Sequence, residues 1–355
     1  AKCTAPVAVV GLNELDAQDL EECRAALWHV LAECARDARE HPVHADHDEA
    51  LWRRYLSMFW LRPETALVGY SEALALRRLS HRCPEPWMDI GCGDALHLAL
   101  YRGYTFPDEA DAFGSLDLNA RDIYDHWDPA AFNAFPSARG RPARWGVDIK
   151  PTAIARANAV GCCDELVQAD VTALDMPDNS VGTIFSNMIR DRRDNLPEAL
   201  ASCARVLRPG GALLLSAMTP DYASSLYFAP ASARASARGD TVTAQRYARL
   251  DRGRAQFCAQ QLPIDAWRDR LADAGLVLTD HVPMMDSRLV RLWDIGLRPF
   301  SIPLVTTRNG WASAGVLPHV KAAVVQALAS TLDPVVRLAF AGPTYGMHML
   351  LAIKQ

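Results

Sequence analysis

Four places in the 355-residue chain pair a residue able to do chemistry with the end of a short apolar run. Asp89-Ile90-Gly91-Cys92-Gly93-Asp94 continues from Pro86-Trp87-Met88, Gly146-Val147-Asp148-Ile149 closes Arg144-Trp145, Ala169-Asp170-Val171 follows Glu165 to Gln168, and Ser186-Asn187 follows Val181 to Phe185. Runs this short alternate with helical stretches between Pro86 and Ala217, the pattern of a parallel α/β sheet. Such a sheet binds ligands beyond the carboxyl ends of its strands. The glycine turn at Gly91 and Gly93 keeps side chains out of a ligand's way. It also opens onto a helix N-terminus, whose free N–H groups and positive dipole end receive a carboxylate or phosphate. Asp148 is placed to accept two hydrogen bonds from ribose hydroxyls, and Ile149 to pack on an adenine face. Asp170 can accept from the exocyclic amine while the Val171 N–H meets a ring nitrogen.

These four segments, in this order, resemble the class I S-adenosylmethionine-dependent methyltransferases. Asp89 to Asp94 matches the first motif of that family, Gly146 to Ile149 the second and Ala169 to Val171 the third. The run from Asp175-Met176-Pro177-Asp178-Asn179-Ser180 through Ile184-Phe185-Ser186-Asn187 to Arg205-Val206-Leu207-Arg208-Pro209-Gly210-Gly211 is similar to its fourth-strand and post-helix pattern. The resemblance covers roughly residues 86–217 and implies S-adenosylmethionine as cofactor. It also implies an α/β, Rossmann-like seven-stranded methyltransferase sheet. The cofactor-binding residues implied are Asp89, Gly91, Cys92, Gly93, Asp148, Ile149, Asp170, Val171, Ser186 and Asn187. A nicotinamide fingerprint would need a third glycine where Leu96 stands.

Two features depart from the family pattern. Ala95 occupies the third glycine of the first motif, a mild change if its φ is negative. Asp89 and Asp148 lie about 59 residues apart, against the roughly 20 of a compact nucleotide-binding unit. The excess, about residues 103–143, carries Tyr104, Phe106, Phe113, Tyr124, His126, Trp127, Phe132 and Phe135 among Asp117, Asp122, Asp125 and Asp128. So many rings argue against disorder; the insert serves either as part of a substrate cap or as a packed ornament or dimer contact, which leaves a homodimer open.

The remaining elements must position these residues. Leu20, Cys23, Leu27, Val30 and Leu31, then Leu51, Tyr55, Phe59 and Trp60, recur at helical spacing. They predict an N-terminal helical layer over 1–80 that Pro63 interrupts, with a helix from about Glu64 to Leu79, ahead of a methyltransferase domain over 81–355. Residues 219–262, rich in Ala, Ser and Arg, predict a helical cap. Strands over 276–282 and 348–353, and a helix over 317–338, complete the C-terminal part, 276–355. His41, His44 and His47 have a ligand-like spacing, but a metal site needs convergent geometry as well, and no metal is expected.

Methyl transfer is an in-line displacement, so holding acceptor and methyl group in line and excluding water are the main tasks. The candidate catalytic residues are Asp191, His126 and Tyr247, with His97 and His281 as weaker ones. The segment after the fourth strand carries Arg190, Arg192 and Arg193 as candidate substrate-binding residues. Further arginines in the cap include Arg234, Arg238, Arg246, Arg249, Arg252 and Arg254. Guanidinium forks suit a carboxylate or phosphate, which points to a small, anionic metabolite; for any single cap arginine, a solvated helix face is the plainer reading. The alternative is an S-adenosylmethionine-binding protein or an enzyme running a non-methylating reaction on the same fold.

Composition narrows the classes. Half the residues are apolar and the net charge is −5, with pI near 6.1, against a nucleic-acid face built on bulk positive charge. The segment after the fourth strand also lacks the Asn-Pro-Pro-aromatic motif of amino-group DNA methyltransferases, and no Pro-Cys nucleophile motif occurs. Nine cysteines without a C-x-x-C pair suit reduced thiols in a cytoplasm. No apolar run reaches the length of a membrane helix, so a cytoplasmic protein with a small-molecule partner, no nucleic acid and no membrane is expected.

Overall fold

The computed structural model describes residues 16–40, 47–116, 125–187, 195–251, 254, 261–296, 304, 307–308, 310–337, 342 and 344–355. Seven strands form one sheet: β1 (Trp87–Ile90), β2 (Ala143–Asp148), β3 (Cys163–Gln168), β4 (Val181–Ser186), β5 (Leu207–Met218), β6 (Leu276–Asp286) and β7 (Tyr345–Lys354). Their order is β3-β2-β1-β4-β5-β7-β6. The first five run parallel, and β7 enters antiparallel between β5 and β6. The order reverses between β1 and β4, so the crevice at their carboxyl ends is the place where such a sheet accepts a ligand.

Alternate residues on each strand face opposite sides of the sheet. Met88, Ile90, Ile184, Leu213, Leu215, Leu350 and Ala352 pack on one face, under α6 (Leu196–Val206) and α10 (Ile264–Asp273). Trp87, Phe185, Leu214, Met347, Met349 and Leu351 pack on the other, in one core with the N-terminal helices α1 (Ala17–Glu40), α2 (Glu49–Met58) and α3 (Pro63–Leu79). Of these, α3 is buried almost throughout, from Pro63 and Glu64 through Ala66, Tyr70 and Glu72 to Leu79. A helix apolar on all sides is a core helix. Pro63 occupies its first turn, where the missing N–H costs nothing, so the break after α2 falls at the proline and the helix expected from about Glu64 to Leu79 starts there.

The first turn of α4 (Leu96–Tyr101) follows the glycine turn, and α5 (Pro151–Val160) follows β2. The cap region folds as α7 (Tyr222–Ser225), α8 (Phe228–Ala237) and α9 (Thr241–Asp251). After β6, α11 (Ser287–Ile295) and α12 (Leu317–Arg337) return to the N-terminal layer. The strands run longer than the apolar runs: β5 begins at Leu207, where it pairs with Val181 across a register shift, although Arg208, Pro209 and Gly210 read as a turn. His281, expected at a strand end, lies within β6, its ring stacked on His348 at 5.1 Å.

The insert is packed. Tyr104, Phe113, Phe132 and Ala134 are buried. Arg156 of α5, 2% exposed, donates to Asp94 Oδ2 and to the Ala112 carbonyl, each at 2.7 Å. Asp111 accepts from Trp60 Nε1 and Arg308 Nε, and Lys321 Nζ donates to the Asp108 and Ala110 carbonyls. These bonds make the described part of the insert a wedge between α5, α12 and the N-terminal layer. No helix among the described residues is long and apolar enough to cross a membrane.

Gly182 marks the tightest approach in the parallel half: a Cβ there would lie 2.4 Å from the Glu85 carbonyl oxygen. Backbone cannot yield as a flexible side chain does, so Gly182→Ala should destabilise the fold by about 1–3 kcal/mol. A lower urea midpoint with an unchanged slope is the expected reading; an unchanged midpoint would show the β1–β4 seam to be looser than drawn.

Candidate active site

The carboxyl edge gathers the strand-end residues as the sequence predicts. Gly91 and Gly93 take left-handed φ values of 72° and 56°, which glycine adopts without steric cost. Ala95 also has a left-handed φ, 62°, so the condition under which the change would be mild is not met. A residue with a Cβ held there costs about 1 kcal/mol or more; Ala95 is buried at 2% exposure as the N-cap of α4. Beside Gly93 an ideal Cβ would meet nothing within 4 Å, so the turn opens onto space.

Asp148 binds this turn across the β1–β2 seam. Its Oδ2 accepts from the Gly93 N–H at 3.0 Å and its Oδ1 from the Lys150 N–H at 2.8 Å. The side chain is half-buried, and each carboxylate oxygen can accept more than one bond. Next to it Ile149 is 53% exposed, an apolar face free for a flat ring. Asp170 N-caps the short turn Val171–Ala173, accepting from the Thr172 N–H and hydroxyl through Oδ1. Val171 is buried beneath it. An open glycine cradle, an acid at the end of β2 and an exposed apolar side chain beside that acid fit a nucleoside-bearing cofactor.

Asp89 is 4% exposed. Burial first, then the charges of Asp148, Glu72 and Asp94, push its carboxyl up to about 7 against the opposing pull of His97. The Cys92 thiol is also pushed up by burial and is a packing group rather than a nucleophile. The Ser186 hydroxyl, fully buried, donates to the Ile90 carbonyl at 2.8 Å; its side chain ties β4 to β1, so only its backbone is on offer to a cofactor.

Four residues converge here that the strand-end pattern does not reveal together. Glu72 of α3, 1% exposed, accepts from the Ser216 hydroxyl at 2.6 Å and from Asn187 Nδ2 at 3.4 Å. His97 Nε2 stands 3.1 Å from the second Glu72 oxygen, off the line of a hydrogen bond. Its ring lies 5.7 Å from Phe185 and 5.5 Å from Tyr55. His97 is therefore part of the edge rather than a solvent-facing helix residue. Asp89, Phe185, Leu214 and Ser216 fall on one face by strand alternation, the face that α3 covers. No local motif could have signalled Glu72, because its partners come from residues more than a hundred positions away.

Other candidates lie elsewhere. The Tyr247 hydroxyl donates to Glu22 of α1 at 3.0 Å, and burial with that carboxylate pushes it up to about 12. The structure does not bring it together with the edge residues. His126 is exposed, although Asp125 beside it pairs with Lys150 at 2.9 Å and so brings the end of the insert back to β2. Asp191, Arg190, Arg192 and Arg193 lie outside the described residues, as do Asp117, Asp122, Tyr124, His41, His44 and Arg252. His47 is held by the Tyr70 hydroxyl at 3.0 Å, and no cluster of metal-ligating side chains occurs among the described residues. Three cap arginines serve structure: Arg246 and Arg249 pair with the buried Asp19 of α1, and Arg254 pairs with Asp294 at 3.2 Å over the Trp293 ring. Beyond the end of β5 a cavity of about 270 Å³ is lined by Met218, Thr219, Asp221, Leu262, Trp267 and His348, among others. Burial pushes His348 down to about 4, so its imidazole is neutral at physiological pH.

Residues 133–215 match the family described as "Methyltransferase domain". A malonyl-[acyl-carrier protein] O-methyltransferase 1 of Coxiella burnetii is 40% identical over 63 residues, 18% of this chain and 22% of that protein. A malonyl-[acyl-carrier protein] O-methyltransferase of Methylococcus capsulatus is 49% identical over 51 residues, 14% of this chain and 18% of that one. The chain thus matches about a fifth of the length of either relative. Among solved structures, an S-adenosylmethionine-dependent methyltransferase from Mesorhizobium loti aligns with a TM-score of 0.37 at 13% identity, covering 78% of this chain and 96% of that one. A (4+2)-cyclase, SpnF, aligns with a TM-score of 0.41 at 15% identity, covering 98% and 97%.

Replacing Asp148 with alanine removes the two carboxylate oxygens expected to accept from the ribose, and with them the bond to the glycine turn. Hydrogen bonds to a charged group contribute about 1.5–3 kcal/mol, so calorimetry should find S-adenosylmethionine bound at least about tenfold more weakly. Undiminished affinity would refute the ribose assignment. With its parallel half ordered around the glycine turn and its acids at the ends of β2 and β3, the chain carries over residues 133–215, from ahead of β2 into β5, a stretch that matches the methyltransferase domain family.

Proposed function

We propose that the protein transfers the methyl group of S-adenosylmethionine to a carboxylate oxygen of a small, anionic acceptor. The observation that carries the donor half of this reading is the Asp148 carboxylate, held against the Gly93 amide at 3.0 Å beside the exposed Ile149. Gly91 and Gly93 would receive the methionine part, Asp148 the ribose, and Asp170 with Val171 the adenine. Bound there, the cofactor supplies a methyl group already activated by a positive sulfur.

The acceptor half rests on chemistry. An acceptor carboxylate is ionised at neutral pH and needs no general base, which agrees with a site where neither Tyr247 nor His126 meets the edge residues. Its oxygen forms the new bond to the methyl carbon as the bond from that carbon to sulfur breaks, and the two opposite charges vanish together. The protein's task is alignment and exclusion of water. α3 covers the edge on the Glu72 side for that purpose. Arg190, Arg192 and Arg193, which follow Asn187 in sequence, are the groups proposed to hold its charge. The names of the two relatives, both malonyl-[acyl-carrier protein] O-methyltransferases, support a carboxylate as the methylated group.

The test is incubation with S-adenosylmethionine and a panel of malonyl-acyl carrier protein, free dicarboxylates, amines and thiols. S-adenosylhomocysteine and a new methyl ester should appear together with a carboxylate acceptor, as read by mass spectrometry. Methylation confined to an amine or thiol, or none with any acceptor despite cofactor binding, would overturn the acceptor assignment.

A further inference from the structure

The N-terminal helical layer supplies a charge to the methyl-transfer edge. Glu72 stands in the middle of α3, a helix buried on nearly every side, and is itself 1% exposed. Burying a carboxylate away from water is expensive unless polar partners surround it. Ser216 from β5 and Asn187 from the end of β4 donate to its two oxygens at 2.6 and 3.4 Å. These donors stabilise the charged form of an acid. The sheet register fixes where this carboxylate lies: Phe185 pairs with Asp89 on one side and Leu214 on the other, and Asn187 and Ser216 stand two residues further towards the carboxyl edge on the same face. Glu72 therefore meets the sheet just past Asp89, above the carboxyl ends of β4 and β5.

We infer that Glu72 is the counter-charge of the cofactor's sulfonium, a group of the donor site contributed from outside the methyltransferase core. The inference rests on the cofactor assignment above and deepens it. S-adenosylmethionine carries a fixed positive charge on sulfur, and S-adenosylhomocysteine, the product, does not; the two are otherwise alike in adenine, ribose and amino-acid ends. A buried carboxylate facing the sulfur distinguishes them by Coulomb attraction alone, strongly where water is excluded. Its consequence for turnover is product release: once the methyl group has left, the attraction is gone. An acid placed instead at the ammonium end of the amino acid would attract both ligands equally, so the comparison separates the two positions.

Isothermal calorimetry with both ligands, on the full chain and on Glu72→Gln, tests this. The wild-type protein should bind S-adenosylmethionine more tightly than S-adenosylhomocysteine. Glu72→Gln, nearly isosteric and able to keep the bond from Ser216, should lower S-adenosylmethionine affinity by about tenfold, with S-adenosylhomocysteine affinity changed by less than about twofold. Glu72→Asp, which keeps the charge, should retain part of the preference. Equal losses for both ligands, or a variant with the wild-type ratio, would overturn the inference while leaving the cofactor assignment intact. If neither ligand binds the wild-type protein, the cofactor assignment falls and this inference with it. Should Glu72→Gln fail to fold, the wild-type ratio alone decides, because equal or tighter binding of the uncharged product contradicts a sulfonium counter-charge.

Discussion

A buried carboxylate must find donors or the helix that carries it cannot pack, and Glu72 is where this constraint acts on the whole molecule. α3 is enclosed by the sheet, by α2 and by α11. Its apolar residues can slide against several neighbours, but Glu72 has one place where Ser216 and Asn187 reach it. These contacts set α3 against the carboxyl edge and help align the helical layer with the sheet. Losing one partner would leave the other group buried and unsatisfied, which costs far more than the bond contributes. The arrangement therefore specifies position more than it adds stability.

The same edge shows how charge is apportioned. Asp89, Asp148 and Glu72 cluster around His97 and the glycine turn, and their mutual repulsion is part of what holds the Asp89 carboxyl up at about 7. A cofactor bearing an ammonium and a sulfonium would relieve that repulsion. Three of the cap arginines, in contrast, are engaged with the N-terminal layer and α11: Arg246 and Arg249 with Asp19, Arg254 with Asp294 and Trp293. Density of arginine in a sequence is thus not evidence of an anion site until their partners are known.

Much of the donor site was legible because its signal is local. A glycine pair after a strand, or an acid at a strand's end, carries its meaning within a few residues, and Asp148, Ile149 and Asp170 stand where that pattern places them. What escaped the sequence depends on long-range contacts. Ser216 is 144 positions from Glu72, and neither residue has a neighbour in sequence that hints at the pairing. The left-handed backbone at Ala95 runs against the local preference of a residue with a Cβ, so sequence alone does not signal it. The Ser186 hydroxyl proved to be a β4–β1 tie because a serine's partner at a strand end cannot be read from its position. The insert's aromatic residues signalled order correctly, but only the structure tells a packed wedge from a lid, through Arg156, Asp111 and Lys321.

A crystal structure of the protein with S-adenosylhomocysteine bound measures the central claim, that the carboxyl edge between β1 and β4 is the cofactor site and that α3 reaches into it. The account predicts ribose hydroxyls on the Asp148 carboxylate, adenine beside Ile149 and Asp170, and the cofactor sulfur on the Glu72 side of the sheet. A ligand seated elsewhere, or one whose sulfur faces away from α3, would contradict it.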